Sequence, residues 1–141
     1  MTTVSRVAGA GRGAWRVARA ARVLAAVELG MRRSPVPEVA QRFGVRVGDD
    51  GPSTLGSVMP HDVWRARAAV ARAGRAFGAR GRCLRESIAL GALCATHAPV
   101  LRLGVLRAPD GALLAHAWIE LDGVTFDSES VAYAVLEGSI R

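Results

Sequence analysis

The sequence predicts an α+β domain preceded by an N-terminal helical extension, and three observations predict it. Apolar residues recur at helical spacing through the first half of the chain. The period changes to strand-like runs from Val100 onward, and turn signals, Pro-Asp-Gly at 109–111 and Asp-Gly at 122–123, separate those runs. A chain of 141 residues is long enough for one domain with a real core and cramped for two. Half of the residues are apolar and few are aromatic, so the core is expected to be built from small side chains.

Taken in order, residues 1–11 read as a frayed start, and helical periodicity begins near Arg12 with Trp15, Val17, Ala18, Ala21, Val23, Leu24 and Val27. Gly30 is expected to end that helix. In "SPVPEVAQRFG", Ser34 reads as an N-cap, Pro35 as the first helical position and Gly44 as the stop, giving a short second helix. "VRVGDDGPSTLGSVMP" reads as a loop and sets a boundary near residue 56, dividing an extension (1–56) from the main domain (57–141). "HDVWRARAAVARAGRAFG" reads as a helix ending around Gly78, and "CLRESIALGALCATH" as another that begins at or just before Cys83. "VLRLGVLR" and "LLAHAWIEL" then form a hairpin across "APDG", and the Asp122-Gly123 turn leads into "VTFD". "VAYAVLEG" reads equally as a last strand or a helical turn. There is no internal repeat.

All 19 basic residues are arginine, against 12 acidic ones, a net charge of +7. That balance suits an acidic partner without choosing among nucleic acid, anionic membrane and acidic peptide. Nucleic acid is disfavoured, because basic and aromatic residues do not interleave in the RNA-binding manner; a Walker-type loop and a G-x-G-x-x-G string are also absent. The apolar run "VLAAVELGM" is interrupted by Glu28 and falls short of the roughly 20 residues a bilayer span needs. The Arg-rich amphipathic stretch around it fits a helix packed on its own domain, and also a membrane-surface helix or a transit peptide. Cys83 and Cys94 fall on one expected helix about 16 Å apart, beyond the disulfide reach of about 7 Å between α-carbons. Two free thiols and no secretory cleavage pattern point to the cytoplasm.

The candidate chemistry centres on "AHAWIELDG". A two-residue turn at 122–123 pairs Leu121 with Val124, so that Trp118 should face Asp127 and His116 should face Glu129. Asp127 is then a same-face diagonal neighbour of His116, about 7 to 8 Å away between α-carbons. Glu129 is the competing orienter, and Asp122 reads as turn chemistry. Cys83 opens a helix, where backbone N–H groups and the helix dipole favour a thiolate. Thiolate, imidazole and carboxylate are the three parts of a cysteine-protease triad. Each residue also has a plainer use: a buried thiol, a strand-face histidine, a strand-end aspartate. Cys94 and His97 form a C-x-x-H pair with no second pair to complete a zinc site. They read as core and helix-end residues, and His61 as a capping or surface residue. Trp118 either walls the cleft or fills the core, with packing the favoured role.

Together "CLRESIALGALCATHAPVLRLGVLR", "AHAWIELDG" and the following "FD" resemble the transglutaminase-like cysteine peptidases of lasso peptide biosynthesis, the family of the microcin leader peptidase, over roughly residues 60–128. The resemblance implies a papain-like or transglutaminase-like fold. It implies removal of the leader from a ribosomally made precursor peptide, before a separate cyclase closes the macrolactam on the exposed amine. By residue match it makes Cys83 the nucleophile, His116 the base and Asp127 the orienter, with no cofactor and no metal. The chain resembles the split form, in which leader recognition resides in a separate protein. The implied partners are therefore the precursor peptide, that recognition protein and the cyclase. The Cys83 backbone N–H is one natural oxyanion donor, but the chain has no obvious Gln for the side-chain donor. The alternatives are a transglutaminase-type acyl transfer to an amine, and a non-catalytic Arg-rich module that binds an acidic peptide or a membrane.

Overall fold

A 29-residue helix, α1 (Thr3–Met31), opens the computed structural model, which describes residues 3–48 and 51–136, with side chains from residue 11 onward. The helix starts well before Arg12, where the expectation placed a frayed segment. Apolar periodicity is missing there, but so is any proline, and Ala and Arg continue a helix readily. Gly30 lies inside the last turn and does not stop it. A Cβ at Gly30 would stand 3.2 Å from Val39 Cγ1, so the glycine lets the next helix approach. That helix, α2 (Val36–Arg42), is capped by Pro35, with no side-chain cap from Ser34.

The stretch read as a loop contains two two-residue strands, β1 (Arg46–Val47) and β2 (Thr54–Leu55). Two residues carry no detectable period, which is why the sequence hides them. Helix α3 (His61–Gly74) ends four residues before Gly78, and α4 (Arg82–Leu93) follows with Cys94 as its C-cap. The joint between them is fixed by the buried Arg85. Its guanidinium donates to the Phe77 carbonyl at 2.6 Å, the Gly78 carbonyl at 2.9 Å and Glu28 Oε2 on α1 at 2.9 Å. The hydrogen bond from Arg85 holds the Glu28 carboxyl below its ordinary range.

Strands β3 (Val100–Arg107) and β4 (Leu113–Leu121) form the expected hairpin, and β5 (Val124–Thr125) follows the Asp122-Gly123 turn. Asp122 at φ +51° and Gly123 at φ +81° have the paired positive angles of a type I′ turn, and Leu121 pairs with Val124 as the turn requires. The ladder then stops after one more pair, Glu120 with Thr125. Neither the Trp118–Asp127 nor the His116–Glu129 cross-strand pair forms. The reason is local: Asp127 becomes the cap of a 3₁₀ turn (Ser128–Ala132) and accepts the Glu129 N–H at 2.9 Å, so its side chain competes with the sheet for the backbone. The chain returns as β6 (Ala134–Val135) along β3, so the described part of the ambiguous "VAYAVLEG" supplies both the end of a helical turn and a strand, and its last two residues lie outside the described residues.

The sheet order is β1-β3-β4-β5-β2, with β6 also pairing β3. Strands from both sides of residue 56 thus share one sheet. Val27, Val39 and Ala40 from α1 and α2 enter the same apolar cluster as Val63, Ile88, Leu101, Ala117, Ile119 and Leu121.

Candidate active site

His116 sits on β4 opposite Gly104 of β3, and its Nε2 lies 2.7 Å from Asp127 Oδ2. The two residues are only eleven apart in sequence. Loss of the ladder after Thr125 does not part them, because the cap conformation of Asp127 turns its carboxylate back toward β4. One carboxylate oxygen serves the cap and the other serves the imidazole. Arg67 of α3 donates to the Phe126 carbonyl at 3.0 Å, which fixes the residue just before Asp127.

Two aromatic rings flank the imidazole. Trp118 is stacked at 5.9 Å between centroids and Tyr133 is tilted at 5.0 Å. Gly104 makes this possible: a Cβ there would come within 2.8 Å of the Trp118 ring and 2.9 Å of Tyr133 Cβ. Trp118 is buried, its Nε1 donating to Ser53 Oγ at 2.8 Å, and the Ser53 hydroxyl donates in turn to Glu120, which pairs with Arg102. Trp118 therefore serves both roles considered for it, packing the core and lining the cleft.

Cys83, half-buried, is the second residue of α4, in the turn whose N–H groups have no intrahelical carbonyl. It opens on a cleft of about 240 Å³ between α3, α4 and the sheet, lined also by Val63, Ser87, Trp118, Phe126 and Asp127. One turn along from Cys83, Ser87 Oγ donates to the Ala117 carbonyl at 3.1 Å. That bond locks the helix bearing the thiol to the strand bearing the imidazole, at the residue beside His116.

Glu129, the competing orienter, is exposed, and Asp127 makes the contact with the ring. The ligand atoms of His116, Asp127 and Glu129 all lie within 4.8 Å of one another, so an imidazole and two carboxylates stand close enough to meet one cation. Both Asp127 oxygens already have partners, which weighs against that use.

The other thiol is of a different kind. Cys94 is buried, and desolvation, with the nearby Asp62 charge, pushes it up to about 11. Neither cysteine is in a disulfide. His97, read as a helix-end residue, instead joins two carboxylates, with Nε2 at 2.7 Å from Asp62 and Nδ1 at 2.7 Å from Asp122. These bonds raise the His97 pKa and lower that of Asp62. Asp122, read as turn chemistry, has this second task; a signal for it lay in Asp62 at a helix start, but nothing in sequence placed that helix end beside the turn. His61 lies on the surface, stacked on Trp64 at 6.2 Å.

The chain belongs to the Transglutaminase-like superfamily, which it matches over residues 10–137. Members of that superfamily are typically catalytic cysteine enzymes and include both cysteine peptidases and acyltransferases. The mixed helix and sheet with an N-terminal helix agree with the expected papain-like arrangement. No curated protein and no solved structure gives a match. Among the described residues no helix is long and apolar enough to cross a membrane.

Proposed function

We propose that this chain is a cysteine peptidase that removes the leader from a ribosomally made lasso precursor peptide. The observation that carries the reading is the 2.7 Å bond between His116 and Asp127, because Asp127 lines the same cleft as Cys83. With Nε2–H donating to Asp127, His116 keeps the Nδ1 lone pair for the thiol proton. The Cys83 sulfur then attacks the scissile carbonyl carbon, and the carbonyl electron pair moves onto oxygen. The N–H groups of the first α4 turn, that of Cys83 among them, stabilise this oxyanion. Collapse passes the proton from His116 to the departing amine of the core peptide and leaves the leader as a thioester on Cys83. Water, deprotonated by His116, releases the leader as a carboxylate.

Support for the leader assignment is the "AHAWIELDG" string after a Cys-Leu helix, the feature that resembles lasso leader peptidases. In this reading a separate recognition protein delivers the precursor, raising its local concentration at the cleft, and the cyclase acts next. The test is mass spectrometry of a lasso precursor incubated with the protein, with and without the recognition protein. Two fragments, leader and core, with the rate greatly raised by the second protein, support the reading. An amine adduct of the leader in place of the free acid assigns transglutaminase-type transfer, and an intact precursor under both conditions defeats the peptidase.

A further inference from the structure

The flank of α3 turned away from the Cys83 cleft lines a second cleft, of about 270 Å³, against α1. Trp15, Arg16 and Arg19 come from α1, and His61, Asp62 and Arg65 from α3, over an apolar floor of Ala66, Ala69 and Leu93. Within each helix the spacings are those of one face. Of the chain's three tryptophans, Trp15 stands open in this cleft at 62% exposure, and Trp64, stacked on His61 of the cleft wall, is 56% exposed outside it. An open, largely solvated tryptophan contributes little to folding, and aromatic residues with Arg are the side chains enriched at binding surfaces. Arg19 lies 5.7 Å over the Trp15 ring, a cation–π pair between two residues of the cleft lining.

Three guanidiniums face one carboxylate in this cleft, and that carboxylate, Asp62, is already bound to His97. The charge left over is positive and its floor is apolar. We infer that this groove between α1 and α3 is a docking site for an acidic peptide segment that carries an apolar side chain: the acidic groups pair with Arg16, Arg19 and Arg65, and the apolar group lies between Trp15 and the Ala66–Leu93 floor. The inference does not depend on the peptidase reading, because binding here is measured without cleavage. It does place a ligand on the same helix whose other flank contributes Val63, Arg67 and Val70 to the Cys83 cleft.

The experiment is fluorescence anisotropy with a labelled peptide of Asp and Glu residues around one Leu, on the whole protein at low and moderate salt. Saturable binding is expected. It should weaken by about tenfold or more in Trp15→Ala and in the Arg19→Glu/Arg65→Glu double variant, the scale of an interface anchor. It should be largely kept in Trp15→Phe, which retains a ring, and should fall similarly when the peptide Leu becomes Ser. Circular dichroism of the variants checks the fold, and a disordered Trp15→Ala leaves Trp15→Phe and the Ser peptide to decide. The inference is overturned if the peptide does not bind, if the charge-reversed variant binds it equally, or if the Ser peptide binds as tightly. Tighter, Trp15-dependent retention on phosphatidylglycerol vesicles or duplex DNA would also overturn it, assigning the groove to another class of anion.

Discussion

Replacing Asp127 by Asn removes one charge and almost no volume, so the consequence follows from the two bonds of that carboxylate. Oδ1 accepts the Glu129 N–H at 2.9 Å and Oδ2 meets His116 Nε2 at 2.7 Å. An Asn that keeps its oxygen on the cap turns its amide N–H toward Nε2, which must then be the unprotonated nitrogen. The proton moves to Nδ1, and the base is lost. The flipped Asn restores the tautomer but gives up the cap, about 1 kcal/mol, and still lacks the charge that stabilises an imidazolium, up to about 3 kcal/mol for a bond to a charged group. Together these amount to about 4 kcal/mol, or a loss of about 10³-fold in turnover; wrong-tautomer selection alone reaches about 10⁴ in a serine-protease triad. The assay is precursor turnover followed by mass spectrometry, alongside thermal melting, which should change little. Asp122→Asn, whose carboxylate faces His97, should leave turnover within a few-fold. Near-wild-type turnover in Asp127→Asn, or a larger loss in Glu129→Gln, refutes the reasoning.

Three further outcomes are expected. Iodoacetamide at neutral pH should label Cys83 before Cys94, whose thiol is held near 11 by burial; Cys83→Ala should fold and be inactive, whereas Cys94→Ala should stay active with a packing loss of about 1 kcal/mol in denaturant melts. Gly104→Ala should lower stability by about 1 to 3 kcal/mol and turnover with it, since its Cβ would meet both rings that flank His116; equal stability and activity would mean the rings yield freely. The Asp62–His97–Asp122 contact should give pH-dependent stability: raised His97 contributes fully below its ordinary 6.5 and loses that contribution as pH rises through its folded value, whereas lowered Asp62 contributes fully above 3.8 and loses it as pH falls through its own. Melts of wild type against His97→Gln should therefore differ most between those two values and converge in alkali; a difference that grows with pH contradicts the assignment.

What could be read from the chain was what short range decides. The Asp-Gly turn dictated the Leu121–Val124 register, and that register put Asp127 on the His116 side even though the ladder stopped before reaching it. The helix ahead of Cys83 and the hairpin after Val100 were equally local. The two-residue strands β1 and β2 escaped because their partners, β3 and β5, are remote and parallel. Arg85 looked like one more solvated arginine among nineteen, yet it is buried on three carbonyls of the joint before Cys83; nothing in its neighbours' identities marks it. Tyr133 against His116 depended on a 3₁₀ turn that the sequence left open between two readings.

The proposed base and its orienter lie eleven residues apart on one turn of chain, while the thiol comes from a helix more than thirty residues earlier. Contacts that close over short stretches form early, and distant ones wait for the chain to collapse. On the ribosome the order is stricter still. The Cys83 thiol, the nucleophile of the proposed reading, emerges before His116, its proposed base, and before Asp127 and Tyr133, which meet His116 in the folded chain. Under the proposed roles, a nascent chain of this design carries its thiol without a base during synthesis, and the β3–β4 hairpin, which brings in the imidazole, completes the pair late.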